Sequence, residues 1–84
     1  MRDYLVRVHC VGSRWIVYVP GVELWSFTIA KADIKPVAAQ MIKSATGSGG
    51  ELDLQEGRVL AHATEFTREH ASARRWLPEG VSAR

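Results

Sequence analysis

Three histidines, His9, His62 and His70, are the first candidates for acid–base or metal chemistry. His62 and His70 fall on one predicted helix, eight residues apart. At 1.5 Å per residue that is about 12 Å, too far for the two rings to share one metal ion. His9 sits beside Arg7 on the outward side of an alternating segment and reads as a partly solvated strand residue, without the partners of a general base. The carboxylates Asp3, Glu23, Asp33, Glu51, Asp53 and Glu56 are spread over strand ends and turns, whereas two-metal hydrolysis needs several of them converging on one pocket. Ser13, Ser26, Thr28, Ser44 and Thr46 have no base in a recognisable context, and the run Gly47-Ser48-Gly49-Gly50 lacks the Lys-Ser/Thr ending of a phosphate loop. The lone Cys10 allows neither an internal disulfide nor a zinc site at ligand spacing. The residues thus predict no catalytic centre, no metal and no cofactor.

The elements that would carry these residues follow from periodicity. From Tyr4 to Val11 the side chains alternate, with Tyr4, Val6, Val8 and Cys10 on one face and Leu5, Arg7, His9 and Val11 on the other. Gly12-Ser13 turns the chain into a second β-branched run, Arg14 to Val19, predicting an antiparallel hairpin. Pro20-Gly21 ends that strand. A third strand over 22–30 places Trp25, Phe27 and Ile29 on one side and Leu24, Ser26, Thr28 and Ala30 on the other. Asp33 is positioned to cap a helix with Pro36 in its first turn. That helix carries one apolar stripe through Ile34, Val37, Ala38, Met41, Ile42 and Ala45, and Gly47 stops it. Leu52 and Leu54 alternate in a short fourth strand over 51–55. Beyond Gly57, apolar residues at helical spacing from Val59 to Leu77 predict a second helix over about 58–77, ending before Pro78, with residues 79–84 frayed. The fold class is therefore α+β. A three-stranded antiparallel meander, a helix and a short fourth strand (β-β-β-α-β) occupy residues 1–56, and a helical tail occupies residues 57–84. One helix on a sheet of this kind covers one face and leaves the other open.

Composition narrows the class of function. With 84 residues, 46% hydrophobic and 24% charged, the chain fits one small globular domain with a thin core. The net charge of +2 comes entirely from the tail: residues 1–56 hold six basic and six acidic groups, residues 57–84 five and three. That is far from the dense basic stripe of a dedicated nucleic-acid binder. No apolar run reaches the ~20 residues that cross a bilayer, and the segment MRDYLVRV lacks the order of a signal peptide, so a cytoplasmic location without membrane contact is expected.

The order β-β-β-α-β, the motif W-I-V-Y-V-P-G (Trp15 to Gly21), and the helix D-I-K-P-V-A-A-Q-M-I followed by the strand E-L-D-L-Q together resemble the HicB-like antitoxin family in its short actinobacterial form. The resemblance spans residues 4 to 56. It implies a partial ribonuclease H-like sheet without the nuclease carboxylates, in a protein that binds and masks a small RNA-cleaving toxin. Members often add a C-terminal DNA-binding module; here the 27 residues after Gly57 predict one helix and no such module.

These readings combine into a non-enzymatic protein of antitoxin type that masks a small protein partner and self-associates as a homo-oligomer, a homodimer in the simplest case. Trp15, Tyr18, Trp25, Phe66 and Trp76 are the expected partner-binding residues on the open side of the sheet or the second helix, with a packed core as their ordinary alternative. The alternative function is a regulatory protein binding DNA or other nucleic acid. Its basic C-terminal helix would set Arg68, Arg74 and Arg75 against phosphates.

Overall fold

A computed structural model describes residues 3–77. The first two strands, β1 (Asp3–Val11) and β2 (Arg14–Val19), form the expected hairpin, with Val11 opposite Arg14 and Arg7 opposite Tyr18. Gly12 turns it at φ 60°, in the left-handed region open to glycine. A 3-10 turn over Pro20–Val22 leads to β3 (Leu24–Thr28), which pairs antiparallel with β2. The helix α1 (Ile34–Thr46) follows a 3-10 turn at Lys31–Asp33, and Asp33 occupies its N-cap position without a side-chain capping bond. Gly47, at φ 81°, closes the helix by donating its N–H to the Lys43 carbonyl. The chain then crosses to β4 (Glu51–Glu56), which lies parallel to β1 with Tyr4 opposite Leu52 and Val6 opposite Leu54.

The tail departs from the expected single long helix. The helix α2 covers only Ala63–Glu69, and Arg74–Arg75 form a fifth strand, β5, parallel to β3. The sheet is therefore five-stranded and mixed, in the order β4-β1-β2-β3-β5, and the expected meander with an appended C-terminal helix is corrected accordingly. The reason lies in backbone satisfaction. The free edge of β3 presents carbonyls at Glu23 and Trp25, and these accept the N–H groups of Arg74 (2.9 Å) and Trp76 (2.7 Å). Pairing at that edge outweighs the helical preference of the Ala- and Arg-containing segment from His70 to Arg75. The expectations for Pro78 and residues 79–84 lie outside the described residues.

The second correction concerns coverage. On one face, α1 lays Ile34, Ala38, Met41 and Ile42 over Tyr4, Val6, Val8, Val17 and Val19. On the other, α2 and the preceding loop close a second core of Val11, Ile16, Tyr18, Trp25, Leu60 and Phe66. A parallel bridge between Val11 and Leu60, with the Leu60 N–H donating to the Cys10 carbonyl, holds that loop against the end of β1. Both faces of the sheet are thus occupied within one chain, and the open face expected from a single covering helix does not exist.

Candidate functional site

The aromatic residues of β2 and β3 are divided by the pleat. Trp15 points to the α1 face, where it is half-buried with the Lys31 ammonium 5.7 Å from its ring centroid. Tyr18 and Trp25 point to the α2 face and are buried there, with the Phe66 ring edge-on to them at 5.1 and 5.4 Å. Phe66 is 1% exposed, so this trio is the interior of the second core and presents no docking platform. Trp76, just after β5, lies half-buried on the α1 side, against Ser44 and Lys43. Of the five aromatics expected to meet a partner, Trp15 and Trp76 keep part of their surface in solvent.

The arginines are likewise dispersed. Arg68 is on α2, while Arg74 and Arg75 lie on β5, where the pleat sends them to opposite faces of the sheet. Arg74 pairs in register with Leu24 on the α1 side. Arg75 reaches over Phe27, 5.1 Å from its centroid, and Arg14 approaches the same ring at 4.4 Å. The single basic helix face that would track a phosphate backbone is absent, because the helix ends before two of its three arginines.

Two features remain exposed and chemically distinctive. The first is the outer edge of β4. Among the described residues this six-residue strand is paired only to β1, and five of its six residues are exposed. It carries Glu51, Asp53 and Glu56 and no basic residue, with Leu52 and Leu54 on the α1 side. Lys31 lies 4.0 Å from Glu56, a surface pair of small energetic weight.

The second is a cleft of about 360 Å³ between β1 and α2, lined by Arg7, His9, Arg58, Leu60, Phe66, Glu69 and His70. His9 is only 7% exposed, contrary to the solvated strand residue expected from its neighbour Arg7. Gly57 makes room for its ring: a β-carbon at that position would fall on Cε1 and within 2.6 Å of Nδ1. The Gly57 N–H donates to the Val8 carbonyl, which fixes the close approach. Nδ1 lies 3.0 Å from the Arg58 carbonyl. A carbonyl only accepts, so Nδ1 carries the proton and Nε2 is left as a buried acceptor with no partner among the described residues. The His70 ring lies 4.6 Å from both Tyr18 and Phe66. Arg58 Nη2 donates to both oxygens of the Glu69 carboxylate, which ties the loop to the end of α2.

At the start of α2, the Glu65 carboxylate accepts the backbone N–H groups of His62 (2.9 Å) and Ala61 (2.8 Å). These two bonds, His62 first, hold its carboxyl below the usual carboxylate range. Among the described residues no group of three or more His, Cys, Asp and Glu side chains could hold a metal ion. No helix among them is long and apolar enough to cross a membrane.

Sequence spacing does not reveal this cleft. Arg7 and His9 come from β1, Arg58 and Leu60 from the loop after β4, and Phe66 to His70 from α2. The one local signal is Gly57, whose missing side chain is the space His9 occupies. No family model matches the chain, and neither a curated protein nor a solved structure matches it.

Proposed function

We propose that the protein is a non-enzymatic, antitoxin-type binding protein whose contact surface is the free edge of β4, where a basic strand of a small partner protein extends the sheet. The observation that carries this reading is the edge itself: six residues whose outer ladder is unpaired among the described residues, with three carboxylates and no basic side chain on the strand. An unpaired edge offers main-chain N–H and C=O groups for strand addition, and the side chains decide which strand is accepted. Carboxylates at Glu51, Asp53 and Glu56 favour Lys or Arg opposite them. Antiparallel self-pairing of this edge sets residues of the same face opposite each other; in the register centred on Asp53 the Asp53 carboxylates of the two copies meet, with Glu51 of each copy on the same face, so the charge pattern favours a basic partner over a second copy. The class of partner, a small RNA-cleaving toxin, comes from the resemblance to HicB-like antitoxins over residues 4 to 56.

Co-expression with the product of any small basic reading frame found beside its gene tests the proposal. Growth should be rescued and the two chains should co-purify. The combined change Glu51→Lys, Asp53→Lys and Glu56→Lys should abolish both effects while leaving the circular dichroism of the chain unchanged. Rescue that survives charge reversal would remove the edge from the account, and failure to rescue with the unaltered chain would remove the antitoxin reading.

A further inference from the structure

We propose that the two edges of the sheet are complementary to each other, so that free chains join head to tail, the β5 edge of one copy lying parallel to the β4 edge of the next. The occupant is a second copy, and the contact uses the β4 edge of the function proposed above without depending on a toxin. Charge gives the first reason. β4 carries Glu51, Asp53 and Glu56 and no base, whereas β3 and β5 carry Arg74 and Arg75 and no acid. Both arginines are exposed, and neither has a carboxylate within ion-pair distance among the described residues. The repulsion that opposes β4 against β4 becomes attraction when unlike edges meet.

Direction and register give the second. β1 and β3 are both antiparallel to β2, while β4 is parallel to β1 and β5 to β3. β4 and β5 therefore run the same way, and a copy displaced across the sheet brings them together as a parallel pair, each face staying on its own side. Arg75 opposite Asp53 sets Arg74 at Leu52 and Trp76 at Leu54. On the α2 side Arg75 then meets Asp53 with Glu51 diagonal to it, its guanidinium turning outward from Phe27. On the α1 side the half-buried Trp76 covers Leu54, which is 37% exposed in the single chain. The backbone fits the same register. Arg74 and Trp76 donate their N–H groups towards β3, so Arg75 presents its N–H and C=O outward. The Gly57 N–H donates to Val8 on β1, and alternation turns Leu52 and Leu54 outward. The Arg75 N–H thus meets the Leu52 carbonyl of the next copy, and the Arg75 carbonyl meets its Leu54 N–H. Such a contact is heterologous. Each added copy leaves one acidic and one basic edge free, and the twist of the sheet makes the assembly an open chain. A basic strand seated on β4 displaces the neighbouring copy, so partner binding and self-association exclude each other.

The test is sedimentation of the full chain without any partner, up to about 1 mM, with two neutralised variants. The first combines Glu51→Gln, Asp53→Asn and Glu56→Gln; the second combines Arg74→Gln and Arg75→Gln. All the changes are at exposed positions, and circular dichroism confirms that each variant folds. The unaltered chain should give a concentration-dependent series of species. Raising the salt from about 0.1 M to about 1 M should weaken that association, because the Debye length falls from about 10 Å to about 3 Å. Each variant alone should stay monomeric where the unaltered chain associates. Their equimolar mixture should form a dimer and stop there, since one native β4 edge meets one native β5 edge and only neutralised edges remain. A chain that is monomeric throughout, association that strengthens when the β4 carboxylates are neutralised, association indifferent to the loss of Arg74 and Arg75, or a mixture that stays monomeric would each overturn the proposal. A monomeric chain that still captures its partner removes this contact alone, and a chain that associates head to tail but captures no partner removes the antitoxin reading alone.

Discussion

The two faces of the sheet are closed by different means. On one, a helix of 13 residues buries four side chains against aliphatic strand residues. On the other, a helix of seven residues buries only Phe66, while the sheet adds Val11, Ile16 and the large rings of Tyr18 and Trp25 and the preceding loop adds Leu60. A short helix can close a sheet face when the sheet contributes large flat rings, since an aromatic side chain buries roughly 150–250 Å² by itself. The aromatic run of β2 and β3 therefore belongs chiefly to the interior. The first face distributes its cohesion over many medium-sized contacts, and the second concentrates it in one ring.

That difference is sharpest under truncation. Phe66→Ala should cost about 3–5 kcal/mol, because Phe66 touches Tyr18, Trp25 and both His9 and His70 and leaves no neighbour able to fill its place. In a domain stable by roughly 5–15 kcal/mol, that loss should also release α2, read as unprotected amides over 63–69 in hydrogen exchange. Met41→Ala on the first face should cost about 2–5 kcal/mol without selective release of α1, whose other buried residues remain in place. Equal, global losses from both changes would break the comparison.

Gly57→Ala comes next. The added methyl group meets the His9 ring, so the ring or the loop must move, at a cost of about 1–3 kcal/mol in denaturant unfolding. The same change should displace the His9 ring signals, linking the second face to the cleft beside it.

Much of the first face was legible in the sequence. The alternation of Tyr4, Val6 and Val8, the turn at Gly12 and the stripe from Ile34 to Ile42 are local patterns, and local patterns survive into the fold. The tail was not, because its structure is decided by pairing partners distant in sequence. Arg74 reads as helical from its own neighbours and becomes a strand because the Glu23 carbonyl is waiting at the edge of β3. The same holds for His9, whose surroundings are set by Gly57 and Arg58, 48 and 49 positions away, and not by Arg7. The acidic character of β4 was visible as E-L-D-L-Q, but its place at a sheet edge came only with the parallel pairing to β1.

The smaller effects concern the surface. Charge reversal on β4 should alter stability by no more than about 0.5 kcal/mol, as expected for exposed positions, while removing partner binding. The start of α2 should be acid-sensitive. The Glu65 carboxyl is held below its usual range by folding, so its contribution is fully present above the ordinary Glu value of about 4.3 and is lost as pH falls through the lower folded value. Glu65→Gln should remove that acid-dependent component, read as exchange of the α2 amides over the interval below the ordinary Glu value of about 4.3. An α2 whose protection stays flat over that interval in the unaltered chain would contradict the role given to this carboxylate.

The central claim is that Phe66 closes the second face of the sheet in its own chain, which is why the β4 edge is the surface proposed for a partner. Isotope-filtered nuclear Overhauser measurements on a mixture of labelled and unlabelled chains test it directly. The expected result is strong intramolecular contact from the Phe66 ring to Tyr18 and Trp25, at ring separations of 5.1 and 5.4 Å, with no intermolecular component. Contacts that appear only between labelled and unlabelled chains, or none at all in a dilute monomer, would show that the face is closed by another molecule and would contradict the account.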